Sequence, residues 1–221
     1  MPLGKIYYLG VFSCFLQTTL ASVLCSNYTM TFPLKHIFDK MNGICRMPEK
    51  FHLLLIESIV RLEVPRNHVL LKIGQVCDYY YYIEKGILSS HRLDKEKEYC
   101  AWVMFPGDIA TAVDSFNNRV PSNETVRAAT DCVLHLLSWK NVIDFTDKHR
   151  AFAKIRQSLT DYYHLQARDL DVQRQHPPEE FYAYLKEKHA EHFNLIPRKL
   201  LASYMGISEA SLYNIIKNSK L

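Results

Sequence analysis

The sequence predicts an α+β chain: an N-terminal antiparallel β-roll of the jelly-roll type, one long helix, and an all-α C-terminal helix-turn-helix. Three observations carry this. Apolar residues alternate with period two in short runs between about residues 60 and 137. The period becomes helical from Trp139 onward. A small residue, a glycine and spaced apolar residues then occur within Ile196–Lys217. The chain has 221 residues, 48% of them hydrophobic and 23% charged, which is the composition of a folded globular protein.

Residues 1–29 differ in character from the rest of the chain. Lys5 precedes an apolar run from Ile6 to Leu20, then Ala21-Ser-Val-Leu-Cys25. The segment is leader-like, yet it has no A-x-A site and its run holds Ser13, Gln17, Thr18 and Thr19. It reads either as a real leader or as extra residues before a start at Met30. The second reading is favoured, and a membrane span is not expected.

From Thr31 the spacing of Phe32, Leu34, Ile37, Phe38 and Met41 predicts a helix broken at Asn42-Gly43. Pro48 opens another, with Phe51, Leu54, Leu55 and Ile59 on one face. Strands are predicted over Val60–Pro65, His68–Ile73, Tyr79–Glu84, Ile87–Leu93, Tyr99–Phe105 and Cys132–Leu137. Turn residues separate them: Pro65-Arg-Asn, Gly74-Gln, Lys85-Gly86, Asp94-Lys-Glu-Lys and Pro106-Gly107-Asp. Short strands so spaced make a jelly roll or barrel. The Tyr79–Tyr82 run reads as cross-strand packing rather than as a platform for bases.

The roll is assigned to residues 30–146 and the long helix to 147–174, with 175–221 as the C-terminal domain. Trp139–Phe145 reads as a short helix. Over Ala151–Gln173, Phe152, Ile155, Leu159 and Tyr162 recur in steps of three and four, a seam for a partner helix. Packing on its own domain would give the same spacing. Pro177-Pro178 ends that helix, and Glu179–His192 forms the next.

In the last segment Pro197 is placed at the first helical position. Ala202 is small where a second helix must cross, Gly206 supplies a positive φ, and Ser208 is an N-cap. Leu212, Ile215 and Ile216 give the second helix its buried face. Glu209, Ala210, Ser211, Tyr213, Asn214 and Lys217 are left outside. An ordinary helical hairpin shares part of this pattern. From Ile196 onward Arg198, Lys199, Lys217 and Lys220 face one acid, Glu209, which suits a partner bearing phosphates and equally a solvated helix end. Net charge over the whole chain is only +4.

Several chemistries find no support. The six cysteines, Cys14, Cys25, Cys45, Cys77, Cys100 and Cys132, form no CxxC knuckle, so no metal is expected and reduced thiols are. His68, His91 and His135 each stand alone in their strands, against a metal-dependent jelly-roll enzyme. No nucleophile elbow or phosphate-binding glycine loop occurs, and no enzyme is expected.

The order of elements, with Lys72-Ile-Gly-Gln, Ile83-Glu-Lys-Gly86, Phe105-Pro-Gly-Asp108 and Thr125-Val-Arg-Ala128, resembles the Crp/Fnr family of bacterial transcription regulators over residues 32–217. The resemblance implies a cyclic-nucleotide-binding-like roll, a homodimer along the long helix and a DNA-reading C-terminal domain. Its partners would be double-stranded DNA, a second copy of the chain and RNA polymerase, in the cytoplasm, with no membrane and no cofactor. The alternative is a regulatory or interaction module without effective DNA binding.

The departures from that family matter. Its cyclic-nucleotide members grip the phosphate with an Arg and the ribose with a Glu. Aligned on Val126-Arg127-Ala128, the Arg position holds Ser122, and Asp114 or Ser115 falls near the Glu position. The expected effector pocket is therefore Asp114, Ser115, Pro121, Ser122 and Asn123, with no grip for cyclic AMP and the true effector unnamed. Arg119 is offset and Arg127 should point elsewhere. The family's iron–sulfur members carry an N-terminal cysteine cluster that has no counterpart here. On the DNA side, the resemblance places Ser208, Glu209, Ala210, Ser211 and Asn214 on the recognition helix. Arg198, Lys199 and Lys217 are expected at phosphates, and Asn214 at adenine.

Overall fold

The computed structural model describes residues 34–219 and a two-residue strand, Ile6–Tyr7 (β1), which pairs antiparallel with Ile59–Val64 (β2). The expectations for the rest of residues 1–33, Cys14, Cys25 and Phe32 among them, lie outside the described residues.

Helix α1 spans Lys35–Ile44 and α2 Glu49–Glu57. The break predicted at Asn42-Gly43 does not occur: α1 runs through Gly43. One helical glycine costs about 1 kcal/mol relative to Ala, too little to unwind a helix anchored by buried Ile37 and Met41.

The roll is two antiparallel sheets facing each other. Its further strands are β3 (Val69–Leu71), β4 (Tyr79–Lys85), β5 (Leu88–Asp94), β6 (Lys97–Met104), β7 (Ile109–Ala110), β8 (Thr125–Ala128) and β9 (Cys132–Ser138). One sheet has the order β1-β2-β9-β4-β7, the other β3-β8-β5-β6. The predicted strands are all present. The sequence pattern did not reveal β7 or a six-residue helix α3 (Val113–Asn118). Ile83, Leu88, Val126, Ala128 and Leu134 are fully buried between the sheets.

Gly86 joins β4 to β5 with φ +93°. A Cβ there would lie 2.4 Å from the Asp131 carbonyl oxygen and 2.6 Å from Cys132 Sγ, so only glycine fits. Tyr81 and Tyr82 are buried, and Tyr80 stacks on Phe116 with centroids 4.2 Å apart. The tyrosine run is packing.

Helix α4 (Trp139–Lys148) is N-capped by Ser138, whose Oγ accepts from the Asn141 N–H. The long helix α5 covers Arg150–Gln173. Its start is held by a cluster of edge-on rings: Phe51, Phe145 and Phe152 lie 5.2–5.7 Å apart, centroid to centroid. Phe152 and Ile155 are buried in the chain's own core, and Leu159 packs against it. These three side chains therefore do not form the seam predicted for a partner helix. The register is turned by about a quarter of the helix circumference. The apolar residues α5 leaves outward are Tyr162, Leu165 and Val172.

After α5 come α6 (Pro178–Lys188), a single 3-10 turn at Phe193–Leu195, α7 (Arg198–Met205) and α8 (Glu209–Asn218). The helix predicted to reach His192 stops at Lys188. A second core joins these helices to the outer side of the β5–β6 sheet: Ile87, Cys100, Val103 and Phe105 pack with Phe181, Leu185, Leu201 and Leu212. No helix among the described residues is long and apolar enough to cross a membrane.

Candidate functional site

The sharp angle between α7 and α8 is built as the sequence pattern predicts, with one shift. Pro197 is the residue before α7 rather than its first; its carbonyl accepts from the Leu201 N–H at 2.9 Å. At the far end Gly206 takes φ +72°. The Gly206 N–H donates to the Ser203 carbonyl and the Ile207 N–H to the Ala202 carbonyl, a Schellman closure. Ser208 then caps α8, its Oγ accepting from the Ser211 N–H at 3.0 Å. Ala202, Leu212 and Ile215 are buried where the helices cross.

That geometry sets what remains exposed. Arg198 and Lys199 stand in the first turn of α7, which has no acidic residue and no side-chain cap. Two cations at the positive end of a helix dipole make a local surplus of positive charge. On α8, Ser208, Glu209, Ala210, Ser211, Asn214 and Lys217 are all exposed. The hydroxyls of Ser208 and Ser211 bond each other at 2.8 Å. Arg198, Lys199, Glu209, Asn214 and Lys217 make no hydrogen bond or ion pair with another described residue. Tyr213, left out of the predicted set, shares this face at 61% exposure. Its signal was visible: an aromatic next to Asn214 on the face opposite Leu212 and Ile215.

The two domains are tied at the edge strand β6. The Cys100 N–H donates to Ser203 Oγ at 2.9 Å. Arg174 Nη2 donates to the Ala101 carbonyl at 3.0 Å, with the guanidinium 5.1 Å from the centre of the Tyr204 ring. Edge-strand backbone groups that would otherwise face water are thus satisfied by the helical domain. Phe105 stacks on His189, centroids 4.3 Å apart.

The predicted effector residues are not brought together. Asp114, Pro121 and Asn123 are exposed on the outside of the roll. Ser115 is buried but committed: its Oγ accepts from the Cys77 N–H and donates to the Val120 carbonyl. Ser122 is buried, bonded to the backbone of Glu124. The short α3 separates them: it buries Ser115 and Phe116 and leaves Asp114 outside. Arg119 donates to the Cys77 carbonyl at 2.6 Å and pairs with Asp78. Arg127 pairs with Glu98 on the outer face.

What the roll interior does hold is Glu124, 3% exposed. Ser90 Oγ donates to Glu124 Oε2 at 2.6 Å. Arg92 approaches the same oxygen through Nε at 3.3 Å and Nη2 at 3.2 Å. Arg92 also lines a cleft of 1060 Å³ between the roll and α5, together with Trp102, Arg156 and Tyr163. Cys45, Cys77, Cys100 and Cys132 are free thiols, and burial pushes the Cys100 thiol up to about 12. Among the described residues no three His, Cys, Asp or Glu side chains group as a metal site.

Residues 61–149 match the family of the cyclic nucleotide-binding domain. The fold as a whole, roll, long helix and further helices, is shared with solved structures of Crp/Fnr transcription regulators. The chain is similar to FixK2 of Bradyrhizobium japonicum (12% identity, 72% of this chain and 83% of that one, TM-score 0.64). It is also similar to a transcriptional regulator of the Crp/Fnr family from Eubacterium rectale (14%, 86% and 87%, 0.63). A third is the c-di-GMP responsive global regulator CLP of Xanthomonas campestris (13%, 78% and 92%, 0.60). No curated protein matches the sequence.

Proposed function

We propose that this chain is a DNA-binding transcription regulator of the Crp/Fnr type that works as a homodimer and takes no cyclic nucleotide. The observation that carries this is the unpartnered face of α8 beside the two cations that open α7. Five polar or charged side chains are held there with no hydrogen bond or ion pair to another described residue. Lys199 and Arg198 suit phosphates, and Asn214 suits a base edge. A dimer would present two α8 helices about 34 Å apart, in successive major grooves.

The roll supports the second half of the reading. Its inward guanidinium, Arg92, already has a carboxylate, so a cyclic phosphate would have to displace Glu124 and leave that acid buried unpaired. An effector of other chemistry has the cleft beneath α5. Glu209, an acid at the start of α8, favours the second reading, an interaction module with little affinity for DNA.

Fluorescence anisotropy of the full chain on a random duplex, over a range of salt, separates the two. The regulator reading expects affinity falling linearly on a log–log salt plot. Lys199→Ala should lower that slope by about one per half-site. A chain with no affinity for DNA at about 50 mM salt, where phosphate contacts are strongest, is an interaction module.

A further inference from the structure

We infer that Tyr213 and Ala210 read thymine methyl groups beside an adenine held by Asn214, so that the base pairs under these three residues are A·T. This deepens the DNA-binding reading and rests on it. Ala210, Tyr213, Asn214 and Lys217 succeed one another at steps of three, one and three, and share one side of the helix. The opposite side is occupied by Leu212 and Ile215, at 1% and 6% exposure, so the helix cannot turn another face to a ligand. Tyr213 is 61% exposed and makes no ring contact or hydrogen bond with any described residue. A ring that large left bare beside free polar groups is matched to an apolar feature of the ligand.

The chemistry of the face narrows that ligand. In the major groove guanine offers two acceptors and needs a pair of donors, supplied by Arg or Lys. The first two turns of α8 contain neither; Lys217 is in the last turn. Glu209 has only acceptors and is repelled by guanine O6 and N7; it can bond only an exocyclic amine. Asn214 offers one donor and one acceptor, the complement of adenine N7 and N6. The methyl of Ala210 and the ring of Tyr213 have a counterpart only in the thymine C5-methyl. Asn214, Ala210 and Tyr213 therefore favour A·T pairs, whereas Glu209 accepts equally from adenine N6 and cytosine N4 and excludes guanine only as its own partner.

The test uses the full chain and a pool of random duplexes, with titration on the selected site afterwards. Each half-site core should be A·T where Ala210, Tyr213 and Asn214 contact it. Replacing its thymines with deoxyuridine should weaken the wild-type chain about 3- to 10-fold, the effect of losing one or two buried methyl contacts. The same replacement should weaken Tyr213→Ala less than the wild-type chain, since only the Ala210 contact is left to lose. Asn214→Arg, at an exposed position, should move the preferred base from adenine to guanine. A G·C pair under Ala210, Tyr213 or Asn214, or full tolerance of deoxyuridine, overturns the inference while leaving the DNA-binding reading intact. Equal binding to selected and random DNA does the same. No DNA binding at all overturns both.

Discussion

The Arg92 guanidinium lies 3.2 Å from the Glu124 carboxylate, 32 residues further along the chain, inside the roll. Glu124 is nearly fully buried and Arg92 partly exposed. The pair is therefore a fixed internal anion site, already filled. Calorimetry with cyclic AMP and cyclic GMP should register no heat of binding at tens of micromolar protein. Glu124→Gln, which keeps a hydrogen-bond acceptor and removes the charge, should cost about 1–2 kcal/mol of stability in urea denaturation. Micromolar affinity of the wild-type chain for either nucleotide would falsify the account of a filled site.

The orientation of α5 predicts different outcomes for two faces of one helix. Leu165 is 62% exposed and Ile155 only 1%. Leu165→Glu should leave a folded chain that sediments as a monomer while the wild type sediments as a dimer. Ile155→Asp should instead unfold the chain, since it places a lone charge in the roll's core; a loss of about 3–5 kcal/mol is expected. A folded, monomeric Ile155→Asp chain would mean that Ile155 belongs to the interface after all.

Two glycines with similar backbone angles should respond unequally to Ala. Both take positive φ, +93° at Gly86 and +72° at Gly206. A Cβ at Gly206 meets nothing within 4 Å, whereas one at Gly86 would collide with Asp131 and Cys132. Gly206→Ala should cost about 1 kcal/mol, the conformational penalty alone. Gly86→Ala should cost more than about 2 kcal/mol, because backbone has to move. Thermal midpoints of the two variants decide this; equal shifts would show that contact at Gly86 is relieved without cost.

Stability should fall as the solution is acidified from neutrality. Burial against Phe105, with Lys188 and His192 nearby, brings the His189 imidazole from its ordinary 6.5 down to about 4. The folded state holds this ring neutral while the unfolded chain protonates it first. Its contribution is therefore complete above pH 6.5 and drains away as the pH falls toward 4. Burial also lowers His135, against the opposing pull of Glu84, and adds to the same trend. Asp108, raised by burial, works in the opposite sense. His189→Phe keeps the stack on Phe105 and should flatten the loss between pH 6.5 and 4. An unchanged slope would assign the acid sensitivity elsewhere.

Local rules fixed much of this protein in its sequence alone. Strand periodicity, the glycines at the turns, the Ser138 and Ser208 caps and the Gly206 closure all depend on residues within one turn or one hairpin, where spacing determines geometry. The exposed set on α8 was legible for the same reason: once Leu212 and Ile215 are buried, 3.6 residues per turn put Asn214 and Lys217 outside. The path of Asn42-Gly43 was not legible, because contacts of Ile37 and Met41 with distant strands outweigh a weak helix breaker. Nor was the side of α5 that faces the roll, since a seam at steps of three and four suits a partner or the chain's own core equally well. That was decided by the rings of Phe51, far away in sequence, and of Phe145 closing on Phe152. That the predicted effector residues would lie apart was not legible for a related reason. The sequence shows which residues replace a known grip, but only the packed sheets show that Glu124 turns inward onto Arg92 and Ser90, because a buried charge takes whichever partners the tertiary fold brings within reach.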